Sequence, residues 1–220
     1  MITLFEQILN DEEVIRLYKL VEDSESEENY ATHGFCHVTN VVDMSERVAR
    51  MLGLSEKEIE EVKIAALLHD IGIATGEHPY EKKGHAERSY IWVRDYLEDK
   101  NMTYGSLKQI LDAIRHHGKG IDSCYSRILT FADKLDINKD RITSTGLKIK
   151  GNRQYANLIS VDFEIKEGTL CVKFISNGQI DWEELNSYYF TPKVLQVIKR
   201  LALYFSLDHR VSIDNVSWVC

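Results

Sequence analysis

The chain has 220 residues, and 44% of them are hydrophobic, enough to bury the core of one large domain or of one domain with a small appendage. Its formal charge of -8 argues against general nucleic-acid binding, since a phosphate backbone requires a basic protein surface. No apolar run approaches the roughly 20 residues that cross a bilayer, and residues 1–6 lack the features of a signal peptide. We therefore expect a cytoplasmic protein with neither a membrane nor a nucleic-acid partner.

The N-terminal segment predicts two helices that enclose a polar loop. Residues 2–21 carry apolar residues at helical spacing, with a break allowed near Asn10, and residues 22–29 are acidic and rich in serine. In the helix that follows, the buried stripe begins at Val41, and His37 lies one turn before it on the same face. His37 is therefore expected to point inward and is a candidate metal ligand. His33 is a weaker candidate, because Gly34 interrupts the helix between the two histidines.

The most informative stretch is Ala65–Gly72, in which an apolar helix ends in Leu-Leu-His-Asp-Ile-Gly. His69 continues the buried stripe of this helix, so its imidazole is expected to point inward beside the Asp70 carboxylate. Imidazole and carboxylate are ordinary ligands of divalent metal ions, and a carboxylate can bridge two ions. For a lone His-Asp pair, a buried histidine next to a capping aspartate is the better explanation, so a metal site requires partners from elsewhere in the chain.

Three later segments supply such partners. His85 begins a helix with an apolar face, and it can point into a site at the mouth of that helix. In the predicted helix over residues 104–117, His117 lies on the apolar stripe and His116 is offset from it by about 100°. Asp133 interrupts an apolar helical stretch, and a buried carboxylate needs a cation or several hydrogen-bond donors. A metal ion answers that need.

After about Thr143 the helical spacing of apolar residues gives way to segments in which apolar and polar residues alternate. Residues 158–166 and 169–176 predict a β-hairpin, Thr191 is expected to be the N-cap of a helix through about residue 205, and residues 211–219 fit a last short strand. The predicted fold class is mainly α, with a helical bundle over residues 1–148 and a small α+β appendage over residues 149–220. The appendage is interpreted as a structural or dimerisation element, which leaves a homodimer open.

In their order along the chain, the candidate metal ligands resemble the motifs of the HD superfamily of metal-dependent phosphohydrolases. The resemblance covers about residues 30–137. The resemblance rests on His-Val-Thr-Asn-Val from His37, on Leu-Leu-His-Asp-Ile-Gly, and on Phe-Ala-Asp-Lys-Leu-Asp around Asp133. It implies an all-helical bundle with the site in its middle and Asp70 as the bridging ligand. It also implies one or two divalent metal ions (Fe, Mn, Zn, Ni, Co or Mg) and a ligand set drawn from His37, His69, Asp70, His85, His116, His117 and Asp133.

One departure from the family pattern bears on the substrate. Many relatives carry a phosphate-binding lysine after His-Asp-Ile-Gly, but this chain has Ile73 there. Either the substrate is held differently, or another basic residue replaces that lysine: Lys82, Lys83, Arg88, Lys119 or Lys134. The Gly-Tyr-Pro element of cyclic-dinucleotide phosphodiesterases and the Glu-Asp pair of alarmone hydrolases are absent. A closer likeness is to small bacterial HD hydrolases of nucleotides, including the symmetrical dinucleoside-tetraphosphate hydrolases.

The resemblance thus implies hydrolysis of a phosphate ester or anhydride of a small phosphorylated substrate, with a nucleotide as the leading candidate. Asp70 would orient the attacking water, and Lys83, Arg88 and Lys134 would balance the developing charge. The alternative is an HD module that binds a nucleotide as a regulatory signal without turnover, which the missing lysine keeps open. A purely structural metal is disfavoured, because structural sites are usually closed and rich in thiolates.

Overall fold

The computed structural model describes residues 2–24, 29–76, 83–118 and 123–219. Its contacts divide the chain into two compact units. The first unit takes in the described residues of 1–26 and 33–133, and the second takes in those of 27–32 and 134–220. The predicted domain boundary at residue 148 stays a prediction. Within the described residues, no helix has both the length and the apolar character needed to span a bilayer.

The described part of the first unit is a helical bundle. Its helices are α1 (Leu4–Leu9), α2 (Glu12–Ser24), α3 (Phe35–Met51), α4 (Glu56–Leu68), α5 (His85–Leu97), α6 (Tyr104–His116) and α7 (Cys124–Leu135), and a 3₁₀ turn (Ile71–Ile73) follows α4. The last two residues of α7 belong to the second unit. The break near Asn10 separates α1 from α2. Ser55 caps α4 in a full capping box with Glu58, as the sequence pattern indicates.

Helix α4 is the central element of this bundle. It packs against α1, α3 and α6, and its last turn, Ala65–Leu68, is fully buried. A helix end that is apolar on all sides is stable only inside a core, and the two alanines in it allow neighbouring helices to approach closely. The residues that follow α4, including His69 and Asp70, are therefore carried into the interior of the unit, where both are buried.

Gly72 allows the 3₁₀ turn to lie directly against α5. A Cβ atom on Gly72 would stand 2.3 Å from the carbonyl oxygen of His85 and 2.4 Å from the backbone nitrogen of Ser89. The Gly72 amide donates to Ser89 Oγ at 2.8 Å, and its carbonyl accepts from Arg88 Nε at 2.8 Å. The residue is not among those with positive φ, so close packing, not an unusual backbone conformation, requires glycine here.

We predict that Gly72→Ala lowers the free energy of unfolding by about 2 kcal/mol or more, because backbone atoms of α5 must move to admit the methyl group. Denaturant unfolding of the purified protein measures this. Gly105→Ala is the control, since a Cβ at Gly105 in α6 meets nothing within 4 Å. It should leave stability unchanged or raise it by up to about 1 kcal/mol. Equal stability of the two variants would contradict the packing explanation.

The second unit combines short helices with one sheet. Its helices are α8 (Ser144–Lys148), α9 (Asn152–Tyr155), α10 (Trp182–Ser187) and α11 (Thr191–Tyr204), with a 3₁₀ turn at Lys139–Arg141, and its strands are β1 (Leu158–Lys166), β2 (Thr169–Ser176), β3 (Asp208–Ile213) and β4 (Val216–Ser217). The strand order is β1-β2-β3-β4, with β2 and β3 parallel and the other two pairs antiparallel.

The fold class of a mainly α chain with an α+β appendage is confirmed, and a description as all-α is too narrow because of the sheet. The predicted hairpin forms, with both Glu167 and Gly168 at positive φ in its turn. Two details were wrong. Helix α11 begins at Thr191, with Phe190 as N-cap, and the C-terminal segment forms two strands instead of one.

Candidate metal centre

The Asp70 carboxylate lies between two groups of histidines. Its Oδ2 atom lies 3.3 Å from His69 Nε2 and 3.8 Å from His37 Nε2. Its Oδ1 atom lies 3.2 Å from His85 Nε2 and 3.5 Å from His117 Nε2. The two oxygens of one side chain thus face two different sets of ring nitrogens. Each set, together with Asp70, has a spacing that can hold a metal ion.

Asp133 extends the first of these sets. Its Oδ1 atom lies 3.4 Å from His37 Nε2 and 4.0 Å from His69 Nε2. We call His37, His69, Asp70 and Asp133 the first group. We call Asp70, His85 and His117 the second group; in it the Nε2 atoms of the two histidines lie 3.0 Å apart.

The candidate ligands lie near the ends of five helices. His37 lies in the first turn of α3, His69 and Asp70 follow the last residue of α4, His85 is the first residue of α5, His117 is the C-cap of α6, and Asp133 lies in the last turn of α7. Residues at helix ends can converge from different directions with no irregular backbone inside the bundle. The helical stripes indicated this inward orientation for the histidines on α3, α4 and α6.

The donor geometry fits metal ions. Bonds of about 2.0–2.2 Å from Zn-like ions to imidazole or carboxylate place two ligands of one ion about 3–3.5 Å apart, close to most of the observed separations. His69 Nε2 is buried and has no hydrogen-bond partner among the described residues. His69 Nδ1 donates to the Ala66 carbonyl at 2.8 Å, and His117 Nδ1 donates to the Ile114 carbonyl at 2.5 Å. These bonds leave the lone pairs of both Nε2 atoms directed into the centre.

Electrostatics in the centre favour a bound cation. Burial acts to raise the pKa of Asp70, but the His69 charge and the ring nitrogens of His117, His69 and His85 around the carboxylate outweigh it and hold that pKa well below its usual range. Burial lowers the pKa of His117, which favours the neutral imidazole that binds metal. Burial also acts to lower the pKa of His69, but the Asp70 charge reverses the effect and raises it. A proton and a metal ion therefore compete for His69 Nε2.

Two further histidines lie near the ligand groups without belonging to them. His116 is half-buried, and its Nδ1 donates to the Asp112 carbonyl at 2.9 Å. Its predicted part in binding an ion stays a prediction. The ring of His33 is buried, with its centroid 5.8 Å from that of His37. His78 lies outside the described residues.

The basic residues predicted to contact phosphate differ in their position and in their contacts. Arg88 donates from Nε to the Gly72 carbonyl and from Nη1 to the Lys83 carbonyl, each at 2.8 Å, so it joins the 3₁₀ turn to the start of α5. The Lys83 side chain is exposed. Lys134 belongs to the second unit, where its Nζ lies 5.8 Å from the ring centroid of Phe190. Lys82 and Lys119 lie outside the described residues.

The sequence reasoning missed two residues that support the centre. Ser89 lies one turn after His85 on α5, and a serine on the buried face of a helix was a usable signal. Tyr18 lies on the apolar stripe of α2, and its hydroxyl donates to the Leu67 carbonyl at 2.5 Å. A tyrosine in a core stripe needs a buried partner for its hydroxyl, but the sequence does not say which partner.

Residues 34–138 match the sequence model of the family described as the HD domain. By this match the stretch is an HD domain, the domain of a superfamily of metal-dependent phosphohydrolases, and the candidate ligands of both groups lie within it. The crystal structure of a predicted HD superfamily hydrolase from an uncultured Thermotogales bacterium is similar, with 21% sequence identity, a TM-score of 0.46, and coverage of 62% of this chain and 80% of that one. No curated protein matches the chain significantly.

We predict that His85→Ala removes one metal ion per chain from a fully loaded protein. The substitution takes one of three side chains from the second group and leaves the first group complete. Elemental analysis after dialysis against excess metal measures the stoichiometry. His209→Ala is the control, because His209 is exposed on β3 in the second unit. The same metal content in His85→Ala and wild-type protein would leave a mononuclear centre.

Proposed function

We propose that the protein hydrolyses a phosphate ester or anhydride of a nucleotide, with one divalent metal ion on each side of Asp70. The observation that carries the proposal is the position of the Asp70 carboxylate, whose two oxygens face separate groups of imidazoles. Two adjacent ligand groups that share one carboxylate suit the clamping of a phosphoryl group.

The residues of the chain have distinct parts in this proposal. His37, His69 and Asp133 would hold one ion with Asp70 Oδ2, and His85 and His117 would hold the other with Asp70 Oδ1. When bound, the ions supply Lewis acidity toward phosphoryl oxygens and lower the pKa of an attacking water. Asp70, which stays ionised because its pKa is low, fixes the spacing of the two groups and accepts a hydrogen bond from the water.

The choice of metal follows from the donor set. Four imidazoles and two carboxylates favour Fe, Mn, Zn, Ni or Co, whereas Mg prefers oxygen ligands alone. Two divalent ions carry more charge than the carboxylates of Asp70 and Asp133, so the loaded centre is positive. That local field attracts a phosphate even though the chain as a whole has a formal charge of -8.

Asp70→Ala should remove both ions and lower phosphohydrolase activity by about a thousandfold or more, because the lost interactions with the phosphoryl group are worth several kcal/mol. A panel of nucleotides assayed with several divalent metals provides the substrate and the measurement. Activity at the wild-type rate in Asp70→Ala would refute the site. A wild-type protein that binds a nucleotide without hydrolysing it would instead support the regulatory module.

Lys83 and Arg88 should affect different properties of the protein: Lys83 its affinity for substrate, and Arg88 its metal content. We predict that Lys83→Ala raises the Michaelis constant for the nucleotide about tenfold, a loss of about 1.4 kcal/mol in binding, and leaves metal content unchanged. Arg88→Ala should lower the metal content instead, because Gly72 and Lys83 lose the donor that joins them. Arg94→Ala is the control on the same helix, since the Arg94 side chain pairs with the adjacent Asp95. Loss of substrate affinity alone in Arg88→Ala would return Arg88 to phosphate recognition.

A further inference from the structure

Helix α2 lies outside the residues that match the HD domain, yet it contacts the segment that carries His69 and Asp70. Tyr18 is fully buried, and its hydroxyl donates to the Leu67 carbonyl at 2.5 Å. The same hydroxyl faces the backbone amide of Asp70. The last carbonyls of a helix lack partners within it, and Tyr18 supplies one at the point where α4 ends. Its side chain thus fixes the turn that directs His69 and Asp70.

The same helix also fixes the start of α3, which carries His37. Gly34, the N-cap of α3, provides no capping side chain, and Glu22 Oε1 accepts the Phe35 amide at 2.9 Å in its place. A Cβ on Gly34 would stand 2.2 Å from Glu22 Cγ, so the glutamate lies directly over the glycine. Glu22 follows Tyr18 by four residues, so the two side chains lie on one face of α2.

We propose that α2 is a positioning element of the metal centre: Tyr18 fixes the turn of His69 and Asp70, and Glu22 fixes the helix start of His37. The proposal rests on the metal centre described above and adds two residues from outside the HD domain. Between them they act on three ligands of the first group but on only Asp70 of the second, because His85 and His117 lie on α5 and α6. The first site should therefore depend on α2 more strongly than the second.

Tyr18 is suited to this part because it remains a donor. Burial raises the pKa of its phenol well above the usual value, and the nearby Asp70 charge acts in the same direction. The hydroxyl is therefore protonated, and so a donor, at neutral pH. Its bond to the Leu67 carbonyl lies in the core, away from competing water.

The experiment compares Tyr18→Phe with Tyr125→Phe by titrating metal-free protein with Co²⁺ and following the visible absorption of the bound ion. Tyr125 is also a buried phenol of the first unit, and its hydroxyl donates to Glu61 Oε2 at 2.6 Å. Each variant loses one buried hydrogen bond, so each should lose about 1–2 kcal/mol of stability. The first group should be the tighter Co²⁺ site, because it has four candidate ligands and the second group has three. Only Tyr18→Phe should weaken Co²⁺ binding at the first group, by about tenfold or more, which is the effect expected of a group that orients ligands.

Variants of Glu22 test the proposal independently of Tyr18. Glu22→Ala should weaken the same Co²⁺ site, and Glu22→Gln should restore it, because an amide oxygen accepts the Phe35 hydrogen bond as well as a carboxylate does. Co²⁺ affinity in Tyr18→Phe equal to that of wild-type protein, or an equal loss in Tyr125→Phe, would overturn the proposal and leave the metal centre intact. A wild-type protein that binds no Co²⁺ would overturn both.

Discussion

The first unit is arranged around one buried carboxylate shared by four imidazoles. An ionised side chain inside a bundle is costly unless charge and hydrogen bonds compensate it, and the Asp70 oxygens meet ring nitrogens at 3.2–3.8 Å on both sides. Two of the imidazoles are in turn oriented by backbone carbonyls, His69 by Ala66 and His117 by Ile114. These two ligands are thus held by contacts that do not depend on a metal, so they are preorganised before an ion binds.

The close packing around Asp70 depends on small or absent side chains at a few positions. Gly72, after the end of α4, lets α5 lie so near that a Cβ on Gly72 would stand 2.3 Å from a backbone atom of α5. That proximity lets His85 reach the carboxylate from the first residue of its helix. Arg88 then closes the arrangement by donating to two backbone carbonyls. A guanidinium with several donors in one plane can join two chain segments, which the single ammonium of lysine does less well.

Much of this arrangement was predictable from local patterns, and the exceptions share a cause. Helical periodicity placed His37, His69 and His117 on buried faces, because a stripe fixes direction along one helix. The capping box at Ser55 and the hairpin turn at Glu167 were equally local. Three features involve segments that are distant in the sequence and were not predictable in this way. They are the packing against α5 that requires Gly72, the parallel pairing of β2 with β3, and the carbonyl contacts of Arg88. Periodicity says which face of a helix is buried but not what covers it, and Tyr18 on α2 was missed for that reason.

The buried position of Ile73 accounts for the absence of the lysine that the HD resemblance leads one to expect there. Ile73 is fully buried in the 3₁₀ turn, where an ammonium group would be desolvated at high cost. Arg88 on α5 donates from Nε to the Gly72 carbonyl of that turn. Without ions, Asp70 and Asp133 would repel a phosphate; with ions, the sign of the local field reverses. In the proposed function, affinity for a phosphorylated substrate should therefore depend on metal occupancy more strongly than it would with a lysine beside the metal ligands.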